Sequence, residues 1–194
     1  MQANQRQRMS TETMVLGAIL TALVVVLQLL GSFIRFGMFS ISLVLIPIVI
    51  GASVGGAKLG AWLGGVFGIV VLISGDAAPF MAISVPGTIV TVMVKGIACG
   101  LLAGLVYKCL EKYNRYFAVL GAALVCPIVN TGVFLLGCVA FFFDAVAEWG
   151  AGNGQSFFVY LMVGMVGINF LVELAVNMFL SPVVVRLLDF RKKA

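Results

Sequence analysis

One charged residue, Lys95, stands inside an apolar stretch that is long enough to cross a membrane and runs from Pro86 to Tyr107. An ammonium near the middle of a membrane helix costs roughly 2.5–3.5 kcal/mol on insertion scales, so such a group normally faces a cavity or a partner instead of lipid. Lys95 can therefore bind a carboxylate or phosphate of a ligand, or form an ion pair with Glu173, or do both. It lies about eight residues from the outer end of its span, roughly 12 Å deep at 1.5 Å per residue. That depth suits a site that opens outward.

A polar stripe follows in the last apolar stretch, where Asn169, Glu173 and Asn177 are each four residues apart. Residues at this spacing share one helix face. Because polar side chains are expensive in lipid, the stripe is predicted to face the bundle interior, where it lines a ligand site or joins helices. Asn177, nearest the cytoplasm, is predicted to join helices, while both roles stay open for Asn169 and Glu173. Gln28, near the outer end of the first helix, is interpreted as structural.

Asn130 and Thr131 form a further polar pair, midway along another apolar stretch and after Pro127. A proline inside a helix leaves a backbone carbonyl without its usual donor, so these side chains can bond a neighbouring helix there. We favour the alternative, a hydrogen bond to a ligand. Phe134 and Phe141 follow on similar faces and can stack on a ring or cover an apolar chain.

Motifs of known enzyme classes are absent. The sequence has no HExxH, GxSxG or Walker loop and no paired catalytic carboxylates. Ser84 and Thr88 near Lys95 imitate a Ser–Lys dyad, but nothing else supports peptidase chemistry. We predict no enzyme and no catalytic residue, and any active transport needs an ion gradient or a partner that binds ATP.

Metal and cofactor sites are not predicted either. The chain has no histidine, the commonest metal ligand. Its four cysteines lie in or beside apolar stretches without a CxxC pair, which is typical of reduced packing residues; they are Cys99, Cys109, Cys126 and Cys138.

Composition assigns these residues to an integral membrane protein. Of 194 residues, 62% are hydrophobic and only 10% are charged, against about 25% charged in a soluble domain; the mean hydropathy is +1.19. The net charge of +5 does not indicate nucleic acid, because the cations cluster at the ends of apolar stretches. The polar segment 1–13 is not a secretory signal, and the apolar run after it is predicted to be a retained first helix.

Six apolar runs predict an all-α, polytopic bundle of six transmembrane helices that forms a single domain over residues 1–194. The runs cover approximately residues 14–33, 40–55, 59–74, 86–107, 118–143 and 157–188.

Charges divide unevenly between the two faces of such a bundle, with a strong excess of cations on the face that carries both termini. That face holds Arg6, Arg8, Lys58, Lys108, Lys112, Arg115, Arg186, Arg191, Lys192 and Lys193, and the other holds Arg35, Asp76, Asp144 and Glu148. The positive-inside rule therefore predicts cytoplasmic termini. The outer loops are then 32–39, 75–85 and 144–156, and they are longer than the inner ones, which favours recognition outside.

Several short motifs together resemble one family. The first helix carries Ala18 and Ala22 four residues apart, a flat strip on which another helix can pack closely. The remaining motifs are PIVIGA at 47–52 followed by Gly55 to Gly64, PGT at 86–88 with Lys95-Gly96, and NTGVF at 130–134 with Gly137. Together they resemble the substrate-binding S-components of energy-coupling factor (ECF) transporters, in the branch that includes riboflavin and pantothenate binders.

The resemblance implies a vitamin-binding membrane subunit of a prokaryotic, ATP-driven importer. In that family a pocket in the outer half is closed by the loop after the first helix, here 32–39. The first helix docks on a transmembrane coupling subunit that carries two ATPases, and Ala18 and Ala22 would form the docking strip. The protein is thought to topple in the membrane to release its cargo.

The same resemblance implies a set of ligand contacts. Lys95, Asn130 and Asn169 would approach the ligand, and Phe134, Glu173 and the gate residue Arg35, which lies among Phe33, Phe36 and Phe39, complete the predicted set. A buried lysine favours an acid such as pantothenate, while the phenylalanines leave riboflavin open.

Three alternatives remain. One is a self-sufficient secondary carrier that uses Lys95 and Glu173 for ion coupling. Another is a structural membrane subunit without a ligand, for which glycine ridges alone suffice. One such ridge is predicted at Gly96, Gly100 and Gly104, which recur every fourth residue along one face of the helix that carries Lys95, so that this helix can pack tightly. A membrane hydrolase is the third.

Overall fold

A computed structural model of the chain describes residues 11–33, 35–36, 39–40 and 43–193. Within these ranges the fold is helical except for a two-residue antiparallel ladder, which pairs Arg35 with Ser40 and Phe36 with Phe39. The all-α prediction is therefore confirmed. The elements in chain order are α1 (Thr11–Gly31), β1 (Arg35–Phe36), β2 (Phe39–Ser40), α2 (Leu45–Ser74), α3 (Ala78–Met81), α4 (Val85–Leu110), α5 (Arg115–Phe141), α6 (Phe143–Gly152), α7 (Phe157–Val159), a π-helical segment (Tyr160–Gly167) and α8 (Ile168–Lys193).

Five stretches of helix in the described ranges are long and apolar enough to cross a membrane. They are Thr11–Gly31, Leu45–Ser74, Val85–Leu110, Arg115–Phe141 and Phe157–Arg186. The last one passes through α7, the π-helical segment and α8, and we call it the last span. Four of the five lie close to predicted runs, whereas α2 covers both the second and the third run.

Helix α2 folds back on itself at Gly56. The backbone there has φ 70° and ψ −170°, a conformation that glycine adopts without steric cost because it has no Cβ. A Cβ built on Gly60 would lie 2.9 Å from that of Ala52, although residues eight apart in a straight helix are about 12 Å apart. Residues 45–55 and 57–74 are therefore two antiparallel arms, which we call the first and the second arm.

A glycine interface joins the second arm to α4. Gly60 and Gly64 face the backbone carbonyls of Gly100 and Gly96, and a Cβ on any of these four glycines would overlap the backbone opposite. The predicted glycine ridge of α4 thus does bring two helix backbones into direct contact.

Gly96→Ala is expected to destabilise the bundle, because the new methyl group would overlap the carbonyl oxygen of Gly64. Overpacking of this kind typically costs about 1–3 kcal/mol. Gly65→Ala is the matched control, since its Cβ would meet only Ile97 Cγ1 at an ordinary 3.6 Å. Thermal unfolding in detergent should show a lower midpoint for Gly96→Ala alone, and equal midpoints would contradict the tight interface.

The two ends of the bundle differ in charge. Gly17 of α1 packs on Leu59 beside the Gly56 turn, and Arg115 Nη2 at the start of α5 donates a 2.8 Å hydrogen bond to Leu188 O of α8. We call this the basic end, because it gathers Lys58, Lys108, Lys112 and Arg115. The opposite end carries α3 and is called the α3 end.

Two predicted outer loops contain helices. The stretch 144–156 lies mostly in α6 (Phe143–Gly152), and 75–85 contains α3. Val146 and Gly150, one turn apart, form the buried face of α6.

Candidate functional site

A cavity lies in the half of the bundle nearest the α3 end. It is bounded by the second arm of α2, the first turns of α4, the middle of α5 and the last span. The space in it that is open to the centre of a water-sized sphere is about 90 Å³. A cavity needs about 10–15 Å³ of such space to hold one water, so this cavity has room for more than one. The polar residues that line it are Gln28, Asp76, Thr88, Thr91, Lys95, Asn130, Thr131, Asn169 and Glu173.

One face of α4 forms the polar wall of this cavity. Thr88, Thr91, Val92 and Lys95 line it, at the i, i+3, i+4 and i+7 spacing that puts residues on one helix face. The wall is about 10 Å long at 1.5 Å per residue. Gly96 faces the second arm, so close packing on the neighbouring face of α4 holds Lys95 towards the cavity.

The ammonium of Lys95 lies between two aromatic rings. Its Nζ is 5.6 Å from the ring centroid of Phe67 and 5.4 Å from that of Phe134, within the range of a cation–π interaction. Of the carboxylates that attract it, Glu173 acts more strongly than Asp76. These surroundings are compatible with both predicted roles of Lys95, a bond to a ligand and an ion pair with Glu173.

Four buried polar atoms around the cavity have no hydrogen-bond partner within the described protein. They are Gln28 Oε1, Thr91 Oγ1, Asn130 Oδ1 and Asn169 Oδ1, on side chains that are at most 9% exposed. A buried polar group that lacks a partner costs about 1–3 kcal/mol. Among the buried side-chain atoms of the described residues, one other lacks a hydrogen bond, Arg115 Nε at the basic end, on a guanidinium that bonds Leu188 O through Nη2. The unsatisfied hydrogen-bonding capacity is therefore concentrated at this cavity.

Asp76 connects α1 to the end of the second arm. Gln28 Nε2 donates a 2.7 Å hydrogen bond to Asp76 Oδ2, and Ser74 Oγ donates a longer one, 3.3 Å, to the same oxygen. This bond between elements is what a structural role for Gln28 would require, and that role stays a prediction. Gln28 also lines the cavity, and its Oε1 has no hydrogen-bond partner within the described residues.

An aromatic cluster covers the cavity at the α3 end. Phe80 of α3 makes edge-to-face contacts with Phe134, Phe142 and Trp149 at centroid distances of 5.6, 5.0 and 5.7 Å. Such pairs contribute about 0.5–1.5 kcal/mol each beyond their buried area. Phe141, predicted to share the role of Phe134, is 49% exposed and does not line the cavity; seven residues further along α5, it lies beyond the cavity.

The predicted ligand contacts are largely gathered at this one site. Lys95, Asn130, Phe134, Asn169 and Glu173 all line the cavity, although they come from three helices.

The predicted gate is only partly described. Arg35 lies in β1, but its side chain, like those of Phe36 and Phe39, is outside the described part, as are residues 34, 37 and 38 of the loop. Phe33 at the start of the loop is 84% exposed.

Other predicted residues lie elsewhere in the bundle. Ala18 and Ala22 are exposed on α1. Asn177 is buried and donates a 3.0 Å hydrogen bond to Glu173 O within its own helix; its role in joining helices stays a prediction. Ser84 caps α4 by accepting from Gly87 N; it is eleven residues from Lys95, about 16 Å along the helix, and no Ser–Lys dyad forms.

The cavity residues that were missed from the sequence include Asp76, Thr91 and Phe67. The spacing of Thr91 from Lys95, four residues on one helix, was a usable signal. Asp76 was counted only as a loop charge, and Phe67 was one apolar residue among many, so neither carried a sequence signal.

The cysteines differ in their surroundings. Cys99, Cys126 and Cys138 are buried, as expected of packing residues, whereas Cys109 near the end of α4 is exposed. The described residues contain no cluster of three or more potential metal ligands among His, Cys, Asp and Glu.

Comparison with known proteins places the chain in a family. A family model described as ECF transporter, substrate-specific component matches residues 12–185, which is most of the chain. No curated protein and no solved structure matches it. The predicted riboflavin and pantothenate branch stays a prediction. A match of this length, on a multi-pass membrane protein with a polar cavity, shows that the chain belongs to the family of substrate-specific components of ECF transporters, the membrane subunits that bind substrate for an ECF module with ATPases.

Proposed function

We propose that this protein is the high-affinity subunit that captures a vitamin or related micronutrient at the outer face of a prokaryotic cell membrane. The observation that supports this most directly is the set of four buried, unpartnered polar atoms around one cavity beside Lys95. A purely structural subunit would have no reason to leave these groups unsatisfied, because each one costs stability.

The proposed binding event uses the residues of the cavity in three ways. Lys95 bonds an acceptor group of the ligand, Asn130 and Asn169 hydrogen-bond to its polar groups, and Phe67 and Phe134 cover its apolar part. The aromatic cluster around Phe80 closes the α3 end over the bound molecule. ECF-type import then requires docking of α1 on the coupling subunit, through Ala18 and Ala22 in our proposal.

Release of the ligand inside the cell requires a large movement. Below Lys95, towards the basic end, the backbones of the second arm and α4 touch at Gly64 and Gly96 and again at Gly60 and Gly100. This contact leaves no path along that wall. Reorientation of the whole subunit, which the family resemblance implies, avoids separating these helices. A secondary carrier that opened along this wall would have to separate them in each cycle, which favours the S-component over such a carrier.

We further propose six crossings with both termini in the cytoplasm. The chain passes from the basic end to the α3 end in α1, returns in the first arm, and then alternates through the second arm, α4, α5 and the last span. The first arm is only about 16 Å long, shorter than a bilayer core of about 30 Å, so it supports a crossing only together with the residues before it. The cations of the basic end support a cytoplasmic location.

Reporter fusions test this topology. A reporter after Ala194 should be cytoplasmic, and one inserted at Gly154 should be external. Gly154 suits the insertion because it lies in an exposed turn with φ 68° and nothing near its Cβ direction. Reporters on the same side would contradict six crossings.

Purification and uptake together test the function. Mass spectrometry of a solvent extract of the purified protein should identify a small molecule bound in about equimolar amount. Uptake of that molecule by cells or vesicles should require both ATP and the coupling module. Uptake by the protein alone would favour the secondary carrier that couples ions through Lys95 and Glu173, and absence of both ligand and uptake would favour a structural subunit.

A further inference from the structure

We infer that Gly137 of α5 is a positioning residue for the binding site, because Thr91 packs on its bare Cα and so fixes the spacing of α4 and α5 beside Lys95 and Phe134. The inference rests on the proposed binding function and deepens it by a residue that does not itself line the cavity. Gly137 acts through Thr91, which does line it.

The contact between these two residues leaves no room for a side chain at position 137. A Cβ built on Gly137 would overlap Thr91 Cγ2 and would lie 2.5 Å from Thr91 Oγ1 and 3.0 Å from Thr91 Cβ. Both residues are buried. Small residues let helices approach closely, but Gly137 differs from Gly96, which faces a backbone. Here the space left by the missing Cβ is filled by a side chain of the cavity wall.

The contact lies one helical turn from the ammonium. Three facing pairs follow one another in steps of about one turn along the antiparallel helices α4 and α5: Gly87 with Phe141, Thr91 with Gly137, and Lys95 with Phe134. In the first pair a Cβ on the glycine would lie 3.0 Å from the partner's Cβ, and in the third Nζ is 5.4 Å from the ring centroid. Close packing in the first two pairs therefore sets the helix spacing with which the third pair meets.

The hydroxyl of Thr91 is not held by its own helix. Thr21, Ser53 and Thr88 each donate a 2.8 Å hydrogen bond to the carbonyl four residues earlier, a common arrangement for a hydroxyl in a helix. Thr91 Oγ1 makes no such bond within the described protein. The packing against α5, and not a local hydrogen bond, therefore accounts for the placement of this side chain.

A methyl group at position 137 has two ways to be accommodated, and both alter the site. The two helices can move apart, which draws Phe134 away from Lys95. Alternatively, Thr91 can turn about χ1, which is stiff in a β-branched residue, and the wall of the cavity then changes shape. Either response acts on the binding of a molecule in the cavity as well as on stability.

Gly137→Ala tests the inference, and Gly132→Ala is the matched control. Gly132 lies on the same helix, has nothing within 4 Å of its Cβ position and does not line the cavity, so both variants gain the same helix propensity. The probe is the compound identified in the extract of the unaltered protein, and riboflavin and pantothenate are titrated beside it. Dissociation constants are measured in detergent by isothermal titration, and unfolding midpoints are measured on the same samples.

Gly137→Ala should weaken binding by roughly tenfold or more, within the range of coupling between contacting residues, while Gly132→Ala should bind normally. In a Thr91→Ala background, which lacks Cγ2 and Oγ1, the added Gly137→Ala should change the dissociation constant by roughly twofold or less. If Gly137→Ala alone does not fold, a Thr91→Ser background replaces the unaltered one, and Gly137→Ala should weaken binding more there than in Thr91→Ala.

Two results would overturn the inference. One is a lower unfolding midpoint for Gly137→Ala with an unchanged dissociation constant, which would reduce Gly137 to a packing residue. The other is an equal loss of affinity in both backgrounds, because the effect would then not pass through Thr91. Both results leave the proposed function intact, since the unaltered protein still binds. The proposed function fails separately, and the inference with it, if the unaltered protein binds no compound and the coupling module confers no uptake.

Discussion

Replacing both Ala18 and Ala22 with tryptophan is expected to abolish uptake while ligand affinity stays unchanged. Both residues are exposed on α1, near the basic end, where Gly17 packs on Leu59. Gln28, the cavity residue of the same helix, is ten residues from Ala18 and six from Ala22, or about 15 and 9 Å at 1.5 Å per residue, and it is buried whereas both alanines are exposed. The indole rings therefore cannot reach the cavity, but they hold away any helix whose approach depends on small side chains.

The measurement combines copurification, binding and uptake. The double variant should bind ligand like the unaltered protein, fail to copurify with the coupling subunit and support no uptake above background. Val90→Trp with Val94→Trp is a control of similar size, because these two residues are four apart and about half exposed on α4. Continued transport by the Ala18 and Ala22 variant would contradict α1 docking, and a secondary carrier predicts that outcome.

Lys95→Met is expected to lower ligand affinity by ten- to a hundredfold while the protein stays folded. Methionine keeps most of the length of the side chain and removes its charge. The loss corresponds to about 1.5–3 kcal/mol, the range for a hydrogen bond to a charged group, at 1.4 kcal/mol per tenfold change. The cation–π contacts with Phe67 and Phe134 become apolar contacts, so the walls of the cavity remain packed.

Isothermal titration with the extracted ligand measures this loss, and Lys108→Met at the basic end is the control, expected to bind normally. An unchanged affinity for Lys95→Met would assign Lys95 to the ion pair with Glu173. In that case Glu173→Gln should lower the unfolding midpoint, and adding Lys95→Met should restore part of it. The double-mutant cycle distinguishes the two roles because only contacting residues show such coupling.

The predictions for Gly96→Ala and Lys95→Met also separate the packing role of α4 from its role in binding. Gly96 and Lys95 are adjacent in sequence, but Gly96 faces the backbone of the second arm and Lys95 faces the cavity. Gly96→Ala should therefore act on stability, and Lys95→Met on affinity. A variant of Lys95 that mainly lowers the unfolding midpoint would argue against the ligand role.

Sequence by itself determined the features that follow from local composition. Long apolar runs imply membrane helices because each backbone polar group must be satisfied inside its own segment. The glycines of α4 predicted a close helix contact because only glycine lets two backbones touch, and the fourfold spacing of Asn169 and Glu173 predicted a shared inward face. Lys95 was identifiable because a lone charge in an apolar helix requires compensation.

Only the tertiary structure decided which residues meet. Gln28 and Asp76 are 48 residues apart, and their hydrogen bond depends on α1 ending beside the second arm. Phe67 reaches Lys95 because Gly64 and Gly96 bring their helices into contact. The convergence of Lys95, Asn130 and Glu173 on one cavity likewise depends on how three helices pack. Periodicity reports the face of one helix, whereas the chemistry of a site depends on the faces of several helices and on the distances between them.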